Sequence, residues 1–254
     1  MILISSTDLK PYLVIQQSRV CSEIMEPDIS EFLLLFQTFI QWVAIILSAS
    51  TGVYDARRHD LDYFGALVIA IIVAVGGGTL RDILLDRYPL FWLQDPIYLI
   101  SILIVGIIGI LLIPISNDDE YLLKNRPGRR FFHPVIRVMF GTSASFHIID
   151  AVSLGMWAYL GTYYALTSGV PFLIAPVMGV ITASFGGVIR DVLFAKIPEL
   201  FRPSQFYALA SCAGACAYVV CWIGNVPYPF GFIACMVITV TVRVASMRYN
   251  ITSF

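Results

Sequence analysis

Apolar residues run along this chain in blocks of about twenty, and short polar clusters divide the blocks. A helix rises ~1.5 Å per residue, so ~20 mostly apolar residues cross the ~30 Å hydrocarbon core of a bilayer. Seven blocks meet that length, near 32–54, 62–85, 96–115, 137–161, 170–194, 205–224 and 229–246. "DARRHD", "DRYPLFWLQDP" and "SNDDEYLLKNRPGRRFFHP" follow the first three, and "TSGVP", "KIPELFRPS" and "NVPYP" separate the rest. The pattern predicts an all-α integral membrane protein with seven transmembrane helices. Residues 1–31 form an extramembrane lead, and 225–254 hold the seventh helix and a tail.

Composition points to the same solvent. The chain of 254 residues is 58% hydrophobic and 13% charged, with a mean hydropathy of +0.82. Soluble domains are ~45–50% apolar and ~25% charged. A net charge of −1, with no basic cluster interleaved with aromatics, gives no field for nucleic acid. The first twenty residues lack the basic start, clean apolar core and small-residue cleavage site of a signal peptide. Cys212, Cys216, Cys221 and Cys235 lie in late apolar runs with no histidine or carboxylate near them, and read as small packing residues.

Lysine and arginine supply the orientation. Of the sixteen, twelve fall after the first, third and fifth helices or in the C-terminal tail. They are Arg57, Arg58, Lys124, Arg126, Arg129, Arg130, Arg137, Arg190, Lys196, Arg202, Arg243 and Arg248. Lys10, Arg19, Arg81 and Arg87 take the other side. The N-terminus is therefore expected outside and the C-terminus in the cytoplasm.

The chain also repeats itself. With Gly52 set opposite Gly161, a constant spacing of 109 residues aligns Tyr54 with Tyr163, Ala66 with Ala175 and Ile72 with Ile181. Gly77-Gly78 meets Gly186-Gly187, Arg81-Asp82 meets Arg190-Asp191, Pro89 meets Pro198 and Tyr98 meets Tyr207. Repeat one covers 32–115, a basic cytoplasmic linker 116–136, and repeat two 137–224. Three helices per unit is an odd number, so the second unit enters from the opposite side. A 3+3 inverted repeat of this kind is typical of membrane transport proteins.

Within the second and fifth helices the runs "AVGGGTLRDILL" and "ASFGGVIRDVLF" place glycines and an Arg-Asp pair inside apolar sequence. The second helix reaches Gly76-Gly77-Gly78 after ~20 Å, too short to have crossed, so it continues past them. Glycines permit a kink and let another backbone come close. Loosened backbone and arginine at membrane depth are tolerated only against protein or a water-filled cavity. Both devices occur at symmetric positions, which predicts a wet pathway between kinked second and fifth helices near the bilayer centre. The simpler alternative is close helix packing on small residues with an interfacial Arg-Asp stop. Adjacent residues on a helix do not face each other, so Asp82 alone is not expected to neutralise Arg81, and a partner on another helix such as Asp191, or a backbone carbonyl at the kink, is expected to share the task.

Asp150, near the centre of the fourth span, is a candidate to attract a cation, exchange a proton or pair with an Arg of either motif. His147 shares its face and reads as a packed polar residue. The repeat pairs Asp150 with the neutral Gln41, so any pathway is asymmetric in charge. Gly106, Gly109 and the run "ALASCAGACA" offer faces for close packing. The basic loop Lys124 to Arg130 reads as an ordinary positive-inside signal, with contact to anionic lipid heads as a second use. No P-loop, nucleophile elbow or zinc spacing is present in the sequence, so no catalytic residue and no metal site is expected.

"STGVYDARRHDLDYFG", "GGGTLRD", "ASFGGVIRDVL" and the proline-containing segments after each resemble bacterial membrane proteins with a duplicated "glycine transporter" domain. Those are related to the trimeric intracellular cation (TRIC) channels. The resemblance covers residues 32 to 225. It implies a homotrimer in the lipid of the bacterial inner membrane, with one pore in each protomer, and permeation by potassium and sodium without any cofactor. It also places gating at the glycines of the second and fifth helices, with Gly76, Gly77, Gly78, Arg81, Asp82, Asp150, Gly186, Gly187, Arg190 and Asp191 at the matching positions. Phe185 stands at the first glycine of the second motif, and Gln41 where a first-helix carboxylate is usual. The residues alone leave open a passive channel or an alternating-access carrier of a small amino acid such as glycine.

Overall fold

The computed structural model describes the backbone of residues 27–112, 143–201 and 206–249. Most of the N-terminal lead, the whole 116–136 linker with its basic loop, and Arg202 lie outside the described residues. The helices are α1 (Pro27–Arg58), α2 (Tyr63–Leu84), the short α3 (Phe91–Gln94), α4 (Pro96–Leu112), α5 (Ser143–Thr167), α6 (Ala175–Leu193), α7 (Tyr207–Ile223) and α8 (Tyr228–Arg248). A 3-10 turn, Glu199–Phe201, follows α6. The seven long helices are the seven spans, so α2 and α6 are the second and fifth.

By length and hydropathy alone, α1, α2, α6 and α8 qualify as membrane-crossing, and α4 and α7 are shorter apolar helices. At 17 residues each, these two reach ~25 Å. The fourth span departs most from its sequence expectation: α5 runs on to Thr167 rather than 161. The segment "GTYYALT" carries enough apolar and aromatic side chains to continue the helix against its neighbours. Its end then matches the end of α1 at Arg58 at the repeat spacing.

Polarity is arranged inside out relative to a soluble domain. Leu34, Leu35 and Phe39 of α1, Ile100, Ile104 and Ile108 of α4, and Phe230, Ile233 and Val237 of α8 face outward. Gln41, Ser48, Thr51, Arg81, Asp82, Thr182, Ser184 and Arg243 are buried. With lipid as solvent the exposed apolar faces cost nothing, and the polar groups find partners inside. The chain is a multi-pass membrane protein.

α1, α2, α5 and α6 form a central ring in which α2 packs on α6 and α1 on α5. α4 lies against α1 and α2, its repeat counterpart α7 against α5 and α6, and α8 against α5 and α7. Gly106 and Gly109 let α4 approach Leu67 and Val53, and Gly214 sets α7 against Thr239 and Cys235 of α8. These small-residue faces pack within the protomer. The repeat extends to the turns. Asp60 and Gly169, and likewise Asp86 and Ala195, hold positive φ at the repeat spacing. Arg87 N–H donates to Asp82 O at 2.8 Å, as Lys196 N–H does to Asp191 O at 2.9 Å.

Candidate functional site

The site grows from the crossing of α2 and α6. Both helices are continuous through their glycines. A Cβ on Gly77 would lie 2.0 Å from the carbonyl oxygen of Thr182, and one on Gly186 would lie 2.5 Å from that of Val73. The contacts are reciprocal, since Thr182 is the repeat counterpart of Val73. Only glycine allows two helix backbones this close. Gly76 is not essential to the crossing, where a Cβ would meet Gly186 Cα at 3.3 Å, and this explains how Phe185 stands at the matching place in α6. The two neighbouring glycines differ. A Cβ on Gly78 would strike the Phe91 ring at 2.5 Å, whereas one on Gly187 would meet nothing nearer than 3.7 Å.

Beside the crossing is a cavity of about 20 Å³, lined by Ser48, Thr51, Gly77, Asp150, Ser153, Trp157, Thr182, Gly186 and Arg190 among others. That is room for about one water, with polar groups to hold it. Trp157 Nε1 donates to Ser48 Oγ at 2.9 Å, and Ser48 and Ser153 hydroxyls bond at 2.7 Å. Ser48 and Trp157 are repeat counterparts of each other, so they meet at the pseudo-twofold axis.

From Arg190 and Asp150 the space widens to a vestibule of about 350 Å³. Its walls carry Asp55, Asp150, Asp191 and Glu199 against Arg190, Lys196 and Arg243, with His59 and His147 also present. Among the described residues, four carboxylates face three lysine and arginine side chains there. Arg190 Nη1 lies 2.5 Å from Asp55 Oδ2, and its Nη2 lies 2.9 Å from Asp191 Oδ1. The second oxygen of Asp191 accepts from Glu199 N–H at 2.9 Å. Arg243, 1% exposed on α8, reaches Glu199 at 2.9 Å and Asp150 at 3.8 Å. Its guanidinium lies 4.8 Å from the Tyr207 ring centroid. At the rim Lys196 Nζ contacts His59 Nε2, and the His59 ring stacks on Phe194.

The Arg-Asp motif of α2 builds a different place. Arg81 is 1% exposed; its Nη2 lies 2.7 Å from Asp82 Oδ1, and its Nε donates to the same oxygen at 2.8 Å. Asp82 Oδ2 accepts from Phe91 N–H at 3.1 Å. The Arg81 guanidinium lies 4.5 Å from the Tyr164 ring centroid, and that of Arg87 lies 3.9 Å from the same ring.

Two sequence expectations are corrected. Arg81 pairs with its neighbour Asp82, not with Asp191, which belongs to Arg190. Each arginine stands in the last turn of its helix, where its long side chain is free to fold over the next residue. Asp150 meets an arginine, but from α8 rather than from either motif. The site residues divide into three groups. Gly77 and Gly186 make the crossing with Gly76 beside them, and Asp150, Gly187, Arg190 and Asp191 face the cavity or vestibule. Gly78, Arg81 and Asp82 pack in the opposite half, away from the vestibule. Asp55, Glu199, Arg243 and Tyr164 escaped sequence reasoning. Asp55 lies in a quoted motif and Tyr164 is its counterpart at the repeat spacing, so the repeat alone held a signal for both. Arg243 has no counterpart and gave none. Among the described residues no cluster of His, Cys, Asp and Glu is arranged to hold a metal ion.

Comparison with known proteins places this architecture. The family described as "Glycine transporter" matches residues 38–114 and again 147–222, two copies whose starts are separated by the repeat spacing. The UPF0126 inner membrane protein YadS of Escherichia coli K12 is 32% identical over 216 residues, 84% of this chain and 93% of its own. The UPF0126 membrane protein YvgT of Bacillus subtilis is 28% identical over 211 residues, 82% and 90% of the two chains. The TRIC trimeric intracellular cation channel orthologue from Rhodobacter sphaeroides superposes with a TM-score of 0.69 at 27% identity, covering 85% of this chain and 98% of that one. A prokaryotic TRIC channel in 0.5 M KCl shares the fold at the same TM-score and 24% identity, with coverage of 85% and 98%. With seven long helices, two inverted glycine-bearing units and these relatives, the chain belongs to the glycine transporter family of UPF0126 membrane proteins and has the fold of bacterial TRIC channels.

Proposed function

We propose that the protein is a monovalent cation channel, passing potassium and sodium through one pore in each protomer, between α2 and α6. The observation that carries this reading is the vestibule of about 350 Å³, lined by more carboxylates than cations, which narrows onto the crossing of Gly77 and Gly186. A net negative mouth concentrates cations and repels anions. The backbone contact at the crossing closes the path in this conformation, and separating α2 from α6 opens it. Asp150, Gly187, Arg190 and Asp191 line the path, and Arg81 and Asp82 hold its far half. Arg190 is tied to Asp55 and Asp191, so its own charge is compensated where the ion passes.

The rest of the reading follows the family and the charge asymmetry. The TRIC relative from Rhodobacter sphaeroides is described as trimeric, and the outward apolar faces of α1, α4 and α8 offer surface for a homotrimer and for lipid. YadS is described as an inner membrane protein, and that membrane is assigned here too. The vestibule then opens to the cytoplasm, on the lysine- and arginine-rich side, with the N-terminus outside.

One observation favours a second reading, an alternating-access carrier of glycine or a similarly small amino acid. One half of the inverted repeat is open and the other packed, as a carrier's resting state requires. Purified protein in a planar bilayer separates the two. Discrete current steps in potassium chloride, reversing at the potassium equilibrium potential, are the expected result. No current alongside saturable glycine uptake into proteoliposomes would replace the channel with the carrier.

A further inference from the structure

The repeat spacing maps the vestibule onto a second place in the molecule, and the two differ in a consistent way. Arg190 and Asp191 correspond to Arg81 and Asp82, and Tyr207 to Tyr98. The other carboxylates do not survive. Asp55 becomes Tyr164, Asp150 becomes Gln41, and Glu199 becomes Leu90. The geometry is otherwise kept. Arg190 of the second repeat meets Asp55 of the first at 2.5 Å, and Arg81 of the first repeat meets the Tyr164 ring of the second at 4.5 Å.

Here the aromatic ring of Tyr164 stands where the other half has the carboxylate of Asp55. The guanidiniums of Arg81 and Arg87 both lie over the Tyr164 ring, and the Tyr164 hydroxyl is 3.5 Å from Gln41 Oε1. Phe91 closes the space over Gly78. Among the described residues, Nη1 of Arg81 and Nη1 of Arg87 are buried without a hydrogen-bond acceptor. They abut a ring where the equivalent arginine of the other half has a carboxylate. Among the described residues, the packed Tyr164 and Phe91 rings block this half by volume.

We propose that Tyr164 is the plug of the second half of the pathway, an aromatic gate residue that two arginines clamp at the position where inverted symmetry calls for a carboxylate. The proposal rests on the reading of a pathway through the α2–α6 crossing. Opening this half requires the ring to leave the Arg81–Arg87 clamp, and Gln41 behind it then meets water.

Thiol labelling of the full-length protein in proteoliposomes tests this without relying on current. Gln41→Cys is placed in a protein whose five native cysteines are replaced by alanine. It is treated with the anionic, membrane-impermeant sulfonatoethyl methanethiosulfonate. His147→Cys, in the vestibule wall, serves as the accessible control and identifies the vestibule side. With Tyr164 present, Gln41→Cys should label slowly from either side. Tyr164→Ala should raise its rate at least tenfold from the side opposite to the one that labels His147→Cys. Tyr164→Phe keeps the ring and should stay slow. If Tyr164→Ala disturbs the fold, seen as a changed His147→Cys rate, Tyr164→Asp supplies the residue type of the open half and should give the same increase. A Gln41→Cys rate that stays unchanged in Tyr164→Ala and Tyr164→Asp overturns the plug. So does a rate already equal to that of His147→Cys with Tyr164 in place. Tyr164-dependent labelling in a protein that passes no current would remove the channel reading and leave the plug standing.

Discussion

Gly186 and Gly187 are adjacent in sequence, yet the structure assigns their alanine variants opposite signs. In Gly186→Ala the new methyl falls 2.5 Å from Val73 O and 3.3 Å from Val73 C. An ordinary contact needs ~3.4 Å or more, so α2 and α6 must part by about 1 Å, and overpacking of this kind costs ~1–3 kcal/mol. The gain in helix propensity from Gly to Ala returns up to ~1 kcal/mol. With the full propensity gain subtracted, the net expectation is a loss of up to about 2 kcal/mol, a fall in melting temperature of up to ~8 °C for a domain of this size. In Gly187→Ala the nearest atoms are Tyr207 Oη at 3.7 Å and Arg190 Nη2 at 3.8 Å. Nothing must move, and the propensity term alone should leave the variant as stable as the parent or up to ~1 kcal/mol better. Thermal unfolding in one detergent, read by size-exclusion retention of the folded peak, compares the three proteins. In bilayers the wedge at Gly186 should also raise the open probability while Gly187→Ala leaves it near the parent's. If both variants shift the melting temperature in the same direction by the same amount, the crossing is not in backbone contact and the account of the closed state fails.

Three further outcomes are expected. Arg190→Ala, and more weakly Arg81→Ala, should change single-channel conductance, while Arg129→Ala in the linker should not; equal effects for all three would count against a path through the Arg-Asp motifs. Arg243→Ala strips Glu199 and Asp150 of their shared cation. It should destabilise the protein by up to ~3 kcal/mol, discounted because Glu199 is 40% exposed, while the more negative vestibule increases the permeability ratio of potassium over chloride; an unchanged reversal potential in a salt gradient would contradict the vestibule's place in the path. Ser48→Ala leaves Trp157 Nε1 buried without its acceptor and should cost ~1–3 kcal/mol, measured by the same thermal assay; a shift within error would mean that the indole finds another partner near the axis.

Much of the framework was legible in the chain because it depends on composition and spacing. A bilayer demands ~20 apolar residues per span whatever the fold, so the seven blocks and the mean hydropathy of +0.82 already named the solvent. Duplicated glycines and Arg-Asp pairs at a fixed spacing reported the inverted repeat directly. They also drew attention to the paired glycines Gly77-Gly78 and Gly186-Gly187, but which of each pair makes the close backbone approach only the structure decided. Helix ends were less legible. α5 ran six residues beyond the expected 161 because the pairing of Tyr159 and Tyr163 with neighbouring aromatics, invisible to a hydropathy window, sustains its last turns.

Which side chains meet, and which half of the molecule carries the larger cavity, only the tertiary structure decided. Partner choice across helices depends on their rotation and register, and no local pattern encodes either. Arg190 met Asp55 from α1 because α1 and α6 end on the same side of the bundle, and Arg243 reached Asp150 because α8 lies against α5. Arg81 turned onto Asp82 against the expectation from helix geometry, since a guanidinium in a last turn has room to bend back and its neighbourhood offered a tyrosine ring in place of a second carboxylate. The repeat made the two halves equivalent in backbone. Tyr164 and Phe91 stand where the other half has Asp55 and Leu200, so packed aromatic volume occupies one half and a carboxylate-lined space the other.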